Sequence, residues 1–286
     1  QGAEGEAALA EAISDPEDLV RLAAARSLDL LPFEARIEPA GRGLRDPLRA
    51  VRIEAARALG PLASEFLAPP ARRALYSALA EYEAVQRAES DLGPAHHNLA
   101  LLAEAGGDAE TAEAEYRAAL RLDPGFQPAR VNLATLLSRV GRSAESEALL
   151  REALARAPED GELHYSLGLL LAEAQRNEEA EAELRRAAER LPRARVRYNH
   201  ALALQRLGRV DEAEAGLLAA RAAAPDDPDV LRALVVLYAQ SGRWESALPH
   251  ARALVELSPG EGPRALLLRV EEELARRAAG PPAGSG

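Results

Sequence analysis

The chain has 286 residues, of which 48% are hydrophobic and only 3% aromatic; it has no cysteine and a formal charge of −11 at pH 7. Without Cys it can form no disulfide, zinc knuckle, thiol nucleophile or C-x-x-C-H haem attachment. The negative balance works against nucleic acid and anionic membrane, both of which need clustered cations. All 35 basic residues are arginine, and the apolar share is mostly Ala and Leu, so the expected fold is all-α, built from closely packed helices. No apolar run approaches the roughly 20 residues that span a bilayer.

Residues 1–68 carry a first internal repetition. DPEDLVRLAAARSL (Asp15 to Leu28) matches DPLRAVRIEAARAL (Asp46 to Leu59) at a separation of 31 residues. Asp-Pro is placed to open the second helix of each unit, the carboxylate capping its N-terminus and Pro fitting the first turn. Val20 and Val51 are expected to face the core, and Arg21 and Arg52 to reach a neighbouring Asp in a ladder whose plain role is stability. The pattern resembles the short bacterial HEAT repeat, two units of it. Pro61 and Pro69-Pro70 then break the pattern, and 69–92 reads as a joint carrying one helix over Ala71 to Ser90, with Leu75, Leu79 and Tyr82 on one face.

From 93 to 259 a second period takes over. The closing prolines Pro124, Pro158, Pro192, Pro225 and Pro259 are 34, 34, 33 and 34 residues apart. Each interval holds two amphipathic stretches, with Leu99, Leu133, Leu167 and Leu234 in the first, His200 replacing Leu in the fourth unit. Gly107, Gly141, Gly208 and Gly242 close the first helices, and Gln175 predicts a different turn in the third unit. The period and these landmarks resemble the tetratricopeptide repeat, five copies of it. The resemblance implies a right-handed superhelix whose first helices line a concave groove. A capping helix is expected within 260–278, over Pro263 to Arg277, to shield the last apolar face; 279–286 reads as a disordered tail. The start at Gln1, without Met, reads as a processed or excised piece.

In the tetratricopeptide family the residue before the signature Leu points into the groove, which here implies Asn98, Asn132, Ser166, Asn199 and Ala233. Asn offers one acceptor and two donors, so a ladder of it can hold a peptide backbone without reading side chains, resembling the ladder of the O-linked N-acetylglucosamine transferase repeats. The other reading has the amide fix the adjacent helix. One position earlier stand His97, Val131, Tyr165, Tyr198 and Arg232, as interface aromatics or as inter-repeat packing. Further along, Glu104, Arg139, Glu173 and Arg206 predict a floor of alternating charge. The chaperone-type carboxylate clamp lacks its Lys and is not expected. His96 and His97, adjacent on a helix, diverge, and His164 and His250 sit on separate repeats, so no metal site is read; His200 is expected to mark a kink in the superhelix, the alternative being a ligand contact. No phosphate loop or nucleophile elbow occurs, so neither catalysis nor a cofactor is expected.

These readings converge on a non-catalytic scaffold that holds an extended segment of a protein or peptide partner. The alternative is a structural subunit that self-associates through its ends or convex face. The order of parts also resembles the carboxy-terminal half of bacterial proteins that begin with a multihaem c-type cytochrome. That resemblance implies a multihaem cytochrome partner and export to the periplasm or cell surface, although this chain carries no haem motif.

Overall fold

The structure is a computed structural model describing residues 2–278; Gln1 and the tail at 279–286 lie outside the described residues. It divides into two compact units, Gln1–Leu136 and Leu137–Gly286, the division falling inside a helix. All regular elements among the described residues are helical.

The first unit holds α1 (Gly2–Ala12), α2 (Asp18–Arg26), α3 (Phe33–Gly43), α4 (Arg49–Leu59), α5 (Pro69–Ala88), α6 (Gly93–Ala105), α7 (Ala109–Leu122) and most of α8 (Gln127–Arg139). The 31-residue repetition is structural, with α1 and α2 corresponding to α3 and α4. Asp15 Oδ1 accepts the Glu17 N–H and Asp46 Oδ1 the Leu48 N–H, each at 2.8 Å. Both carboxylates thus close a turn just ahead of the helix, which starts at Asp18 or Arg49, and do not cap it as expected.

The arginine ladder forms, with Arg21 on an Asp carboxylate as expected and Arg52 on a Glu carboxylate in place of an Asp. Arg21 donates from Nε to Asp46 Oδ2 at 2.6 Å and from Nη1 to the carbonyls of Asp15 and Pro16. Arg52 donates to the carbonyls of Asp46 and Pro47 and, at 2.9 and 3.0 Å, to both oxygens of Glu81 on α5. Arg21 and Asp46 are both buried, and charge-assisted bonds of this kind offset the desolvation of each partner. The two valines part company: Val51 is 0% exposed, whereas Val20 is 39% exposed. Val51 lies in the core as expected. Val20, at the equivalent place on the first unit of the repetition, does not.

Pro69 and Pro70 do not interrupt a helix. They form the first turn of α5, where the missing N–H has no partner to lose, and Leu75, Leu79 and Tyr82 bury the face expected of them.

The second unit holds the end of α8, then α9 (Ser143–Arg156), α10 (Gly161–Glu173), α11 (Asn177–Arg190), α12 (Ala194–Arg206), α13 (Val210–Ala223), α14 (Pro228–Gln240), α15 (Trp244–Leu257) and α16 (Glu261–Ala278). Asp160 and Asp227 cap α10 and α14 through N–H groups two and three residues on. The signature residues Leu99, Leu133, Leu167 and Leu234 are buried. At the α10–α11 crossing a Cβ on Gly168 would stand 2.7 Å from Leu184 Cγ, so the helices approach over a missing side chain. Val270 of α16 completes the core of the last hairpin, with Leu267 and Leu274 packed beside it.

The closing turns repeat one geometry. Gly141, Gly208 and Gly242 take φ of 82°, 75° and 68°, and the following N–H groups of Arg142, Arg209 and Arg243 bond back to Leu137, Leu204 and Tyr238 at 2.8 to 3.0 Å. Gln175 was expected to break this rule and does not: its φ is 60°, and the Arg176 N–H reaches the Leu171 carbonyl at 2.9 Å. Bonding of the turn outweighs the steric penalty of a left-handed side chain, about 1 kcal/mol. Gln175→Gly should therefore raise unfolding stability by about 1 kcal/mol, read as a higher denaturant midpoint at unchanged slope; an unchanged or lower midpoint would contradict a strained turn.

Candidate functional site

The three asparagines before the signature residues share one habit. Asn98 Nδ2 donates to Gln86 Oε1 on α5 at 2.9 Å, Asn132 Nδ2 to His97 Nε2 at 3.0 Å, and Asn199 Nδ2 to the Tyr165 hydroxyl at 2.6 Å. Each amide thus reaches back to the helix before it in the stack. The acceptors in two cases are the very residues, His97 and Tyr165, that stand one position ahead of the Asn register. One N–H of each amide fixes the neighbouring helix, while the carbonyl oxygen has no partner among the described residues. Ser166 is half-buried and Ala233 buried at the same register; neither supplies an amide.

The flanking rings are partly sunk. His97 packs edge-on against Phe126 at 5.4 Å and tilts against Tyr116 at 5.8 Å. It receives the Asn132 N–H on Nε2, so its own proton sits on Nδ1, and burial pushes its basicity down. Burial likewise pushes the Tyr165 and Tyr198 hydroxyls up, the bond from Asn199 partly opposing this at Tyr165. Tyr198 carries the Arg195 guanidinium 5.2 Å above its ring.

The expected alternation of charge holds only in part. Arg139 ends α8 exposed. Arg206 donates to the Ala172 carbonyl at 3.0 Å, tying α12 to the end of α10, and Glu173 accepts the Ser138 hydroxyl at 3.3 Å. Glu104 belongs elsewhere. It stands one residue out of step with Arg139 and accepts the buried Tyr116 hydroxyl at 2.7 Å.

Beside the first helices lie open hollows that share one register on the later wall. In the first unit a hollow of about 260 Å³ lies among Leu79 and Tyr82 of α5 and Asn98, Leu101 and Ala105 of α6. In the second, one of about 220 Å³ is walled by Leu169, Ala172 and Glu173 of α10 and Asn199, Leu202 and Arg206 of α12. Asn98 with Leu101 and Asn199 with Leu202 hold the same place in their repeats. The last hollow, of about 250 Å³, lies between α14 and α16.

α12 runs unbroken through His200. Its Nε2 meets Glu181 Oε1 at 3.2 Å, and Arg209 shares that buried carboxylate. A polar residue replaces Leu because a buried acid faces it.

A second periodic device escaped the reading of the sequence. His96, Arg130 and His164, 34 residues apart, each reach the backbone carbonyl six residues earlier: Ser90 at 3.0 Å, Pro124, and Pro158 at 2.9 Å. The two histidines also meet Glu115 and Glu183 at 2.5 Å. The 34-residue spacing of these side chains is visible in the sequence, but the carbonyl that each one clamps on the inter-repeat turn is not.

Two family models, both described as tetratricopeptide repeat, match the chain: one over 131–195 and again over 198–262, the other over 93–126. Together they span more than half of it. The chain is a tetratricopeptide repeat protein. The matched segments leave residues 1–92 uncovered, and no curated protein matches the sequence. Among solved structures it is similar to YrrB, titled a TPR protein with an unusual peptide-binding site, at 24% identity and a TM-score of 0.51, covering 66% of this chain and 96% of that one. PilW, titled a widely conserved type IV pilus biogenesis factor, aligns at 20% identity and a TM-score of 0.58 over 65% and 88%. MamA (AMB-1) aligns at 28% identity and 0.50 over 58% and 99%. These likenesses show the repeat fold. No helix among the described residues is long and apolar enough to cross a membrane.

Two rings of this repeat protein should make it acid-sensitive. Burial pushes the basicity of His97 down, and burial together with Arg221, whose Nη1 donates to His250 Nδ1 at 2.9 Å, does the same at His250. Folding lowers both basicities, so the unfolded chain binds more protons and stability falls as pH drops below about 6.5. The melting temperature should decline between about pH 6.5 and 4.5, before most carboxylates titrate, and His97→Gln with His250→Gln should flatten that slope; an equal slope in the double variant would rule the rings out.

Proposed function

We propose that this protein is a non-catalytic interaction scaffold whose first-helix face holds an extended segment of a protein partner. The observation that carries the reading is the recurrence of one composite in both units. An apolar hollow with a Leu wall lies beside an Asn amide that is oriented by its neighbour and still has an unused carbonyl. An extended strand turns successive backbone groups and side chains alternately to either side, so it can give an N–H to such a carbonyl while a nearby side chain enters the hollow. Orientation by the preceding repeat removes the rotamer freedom that a bare Asn would lose on binding. The two readings of the asparagine ladder thereby combine, one edge of the amide serving the stack and the other the ligand.

The order of parts in the sequence further implies that the amino-terminal pairs are HEAT-like and that the partner belongs to a multihaem cytochrome system. C-x-x-C-H motifs upstream in the parent gene test that implication, and their absence removes it.

Peptides selected from a random display library against the purified chain test the groove itself. Asn132→Ala with Asn199→Ala should weaken the selected binders by about tenfold, or about 1.4 kcal/mol. Each lost inter-repeat bond should cost only about 1 kcal/mol of stability. Binders that ignore the double variant and cross-link to second helices would refute the groove, and ordered polymers in light scattering would favour the self-assembling alternative.

A further inference from the structure

The hollow between α14 and α16 differs in chemistry from its counterpart between α10 and α12. Val236 and Ala239 wall one side, Leu266 the other, and Trp244, the first residue of α15, closes it. Where the α10–α12 hollow has Asn199 and Leu202, this one has Leu266 and Arg269. Its polar lining consists of Gln240 and Arg269, and both offer donors. Gln240 Oε1 is already taken by Gln205 Nε2 at 2.7 Å, which leaves its amide N–H groups for a ligand. Arg269 is exposed and has no hydrogen-bond or ion-pair partner among the described residues; a guanidinium carries five N–H donors and no acceptor.

An apolar hollow with a donor-only rim fits a ligand whose apolar body carries an anion, and a carboxylate is the planar match for a guanidinium. The position of Arg269 in the wall of the hollow selects the source of that carboxylate. In an extended chain the side chain of the next residue points to the opposite face, so an acidic neighbour would carry its charge away from a seated side chain. The carboxylate nearest a seated side chain is the one on the same residue, which exists only at a chain end.

We propose that this hollow captures the carboxy-terminal residue of the bound segment, its aliphatic side chain between Val236 and Leu266 and its α-carboxylate on Arg269 and Gln240. The proposal rests on the groove reading for the course of the remaining segment. It adds a polarity to that reading, because the segment's end is placed at α16.

Trp244 is the single tryptophan of the chain, so its fluorescence and its indole N–H resonance report on this hollow alone. The probe is acetyl-Gly-Ala-Ala-Leu with a free carboxylate, titrated into the intact protein. It should shift the Trp244 signals in a saturable way. Three control peptides should bind about tenfold more weakly, which is about 1.4 kcal/mol: its carboxy-terminal amide, acetyl-Gly-Ala-Ala-Gly with a free carboxylate, and acetyl-Gly-Glu-Ala-Leu amide. Arg269→Gln should erase the preference for acid over amide and Arg269→Lys should keep part of it; the exposed site leaves folding intact, which circular dichroism checks. Equal binding of acid and amide overturns the proposal, as does a Glu-containing amide that matches the free acid, or a Trp244 signal that no peptide moves. A response at the Leu169 and Leu202 methyl groups with Trp244 silent overturns it while leaving the groove reading in place.

Discussion

A helix of this chain has an apolar stripe too wide to bury against one neighbour, and covering that stripe from both sides is the interaction on which the rest of the structure depends. Leu167 and Leu171 of α10 and Leu184 of α11 are all but inaccessible, and each hairpin's core is finished by the helix that follows, down to α16, whose Val270 closes the last one. Burial of this kind is non-directional, so it sets how much the helices pack and not how they are aimed. The aiming is done by polar bonds laid over the apolar contacts at the same spacing.

Those polar bonds are of three kinds, and each joins neighbours in sequence order. In the amino-terminal pairs an arginine crosses to an acid of the next element, buried Arg21 to Asp46 and half-buried Arg52 to Glu81. In the tetratricopeptide repeats, His96, Arg130 and His164 pin the connecting turn from within, while the asparagines tie one first helix to the one before. None of these bonds is worth more than a modest amount alone. Their common effect is register, since a helix rotated to break one of them would also expose the apolar stripe beneath it.

The fold was legible because period is a property of sequence: the 34-residue spacing of prolines, the buried leucines and the left-handed glycines all fell where the repeat required. What the sequence could not show was direction and pairing. Nothing in the letters of Asn132 says that its N–H is given to His97, and nothing in His200 says that a buried Glu181 waits across from it. Glu104 looked like part of a charged floor because it lies one residue from the right place, and one residue on a helix is a turn of 100°. Val20 and Val51 are identical in the repetition and differ in burial, since exposure belongs to position in the stack and not to the residue. Gln175 shows the same limit from the other side, its backbone following the turn in spite of its side chain.

The bond from Asn199 to Tyr165 has a mechanical corollary. It spans two first helices, so any flexing that draws α12 away from α10 stretches it before it disturbs either helix. The amide that stretching releases is the same one whose carbonyl the proposed groove offers to a ligand. On the proposed reading, occupancy of the face and the local pitch of the repeats are therefore linked quantities, and a molecule under tension should grip a segment differently from one at rest.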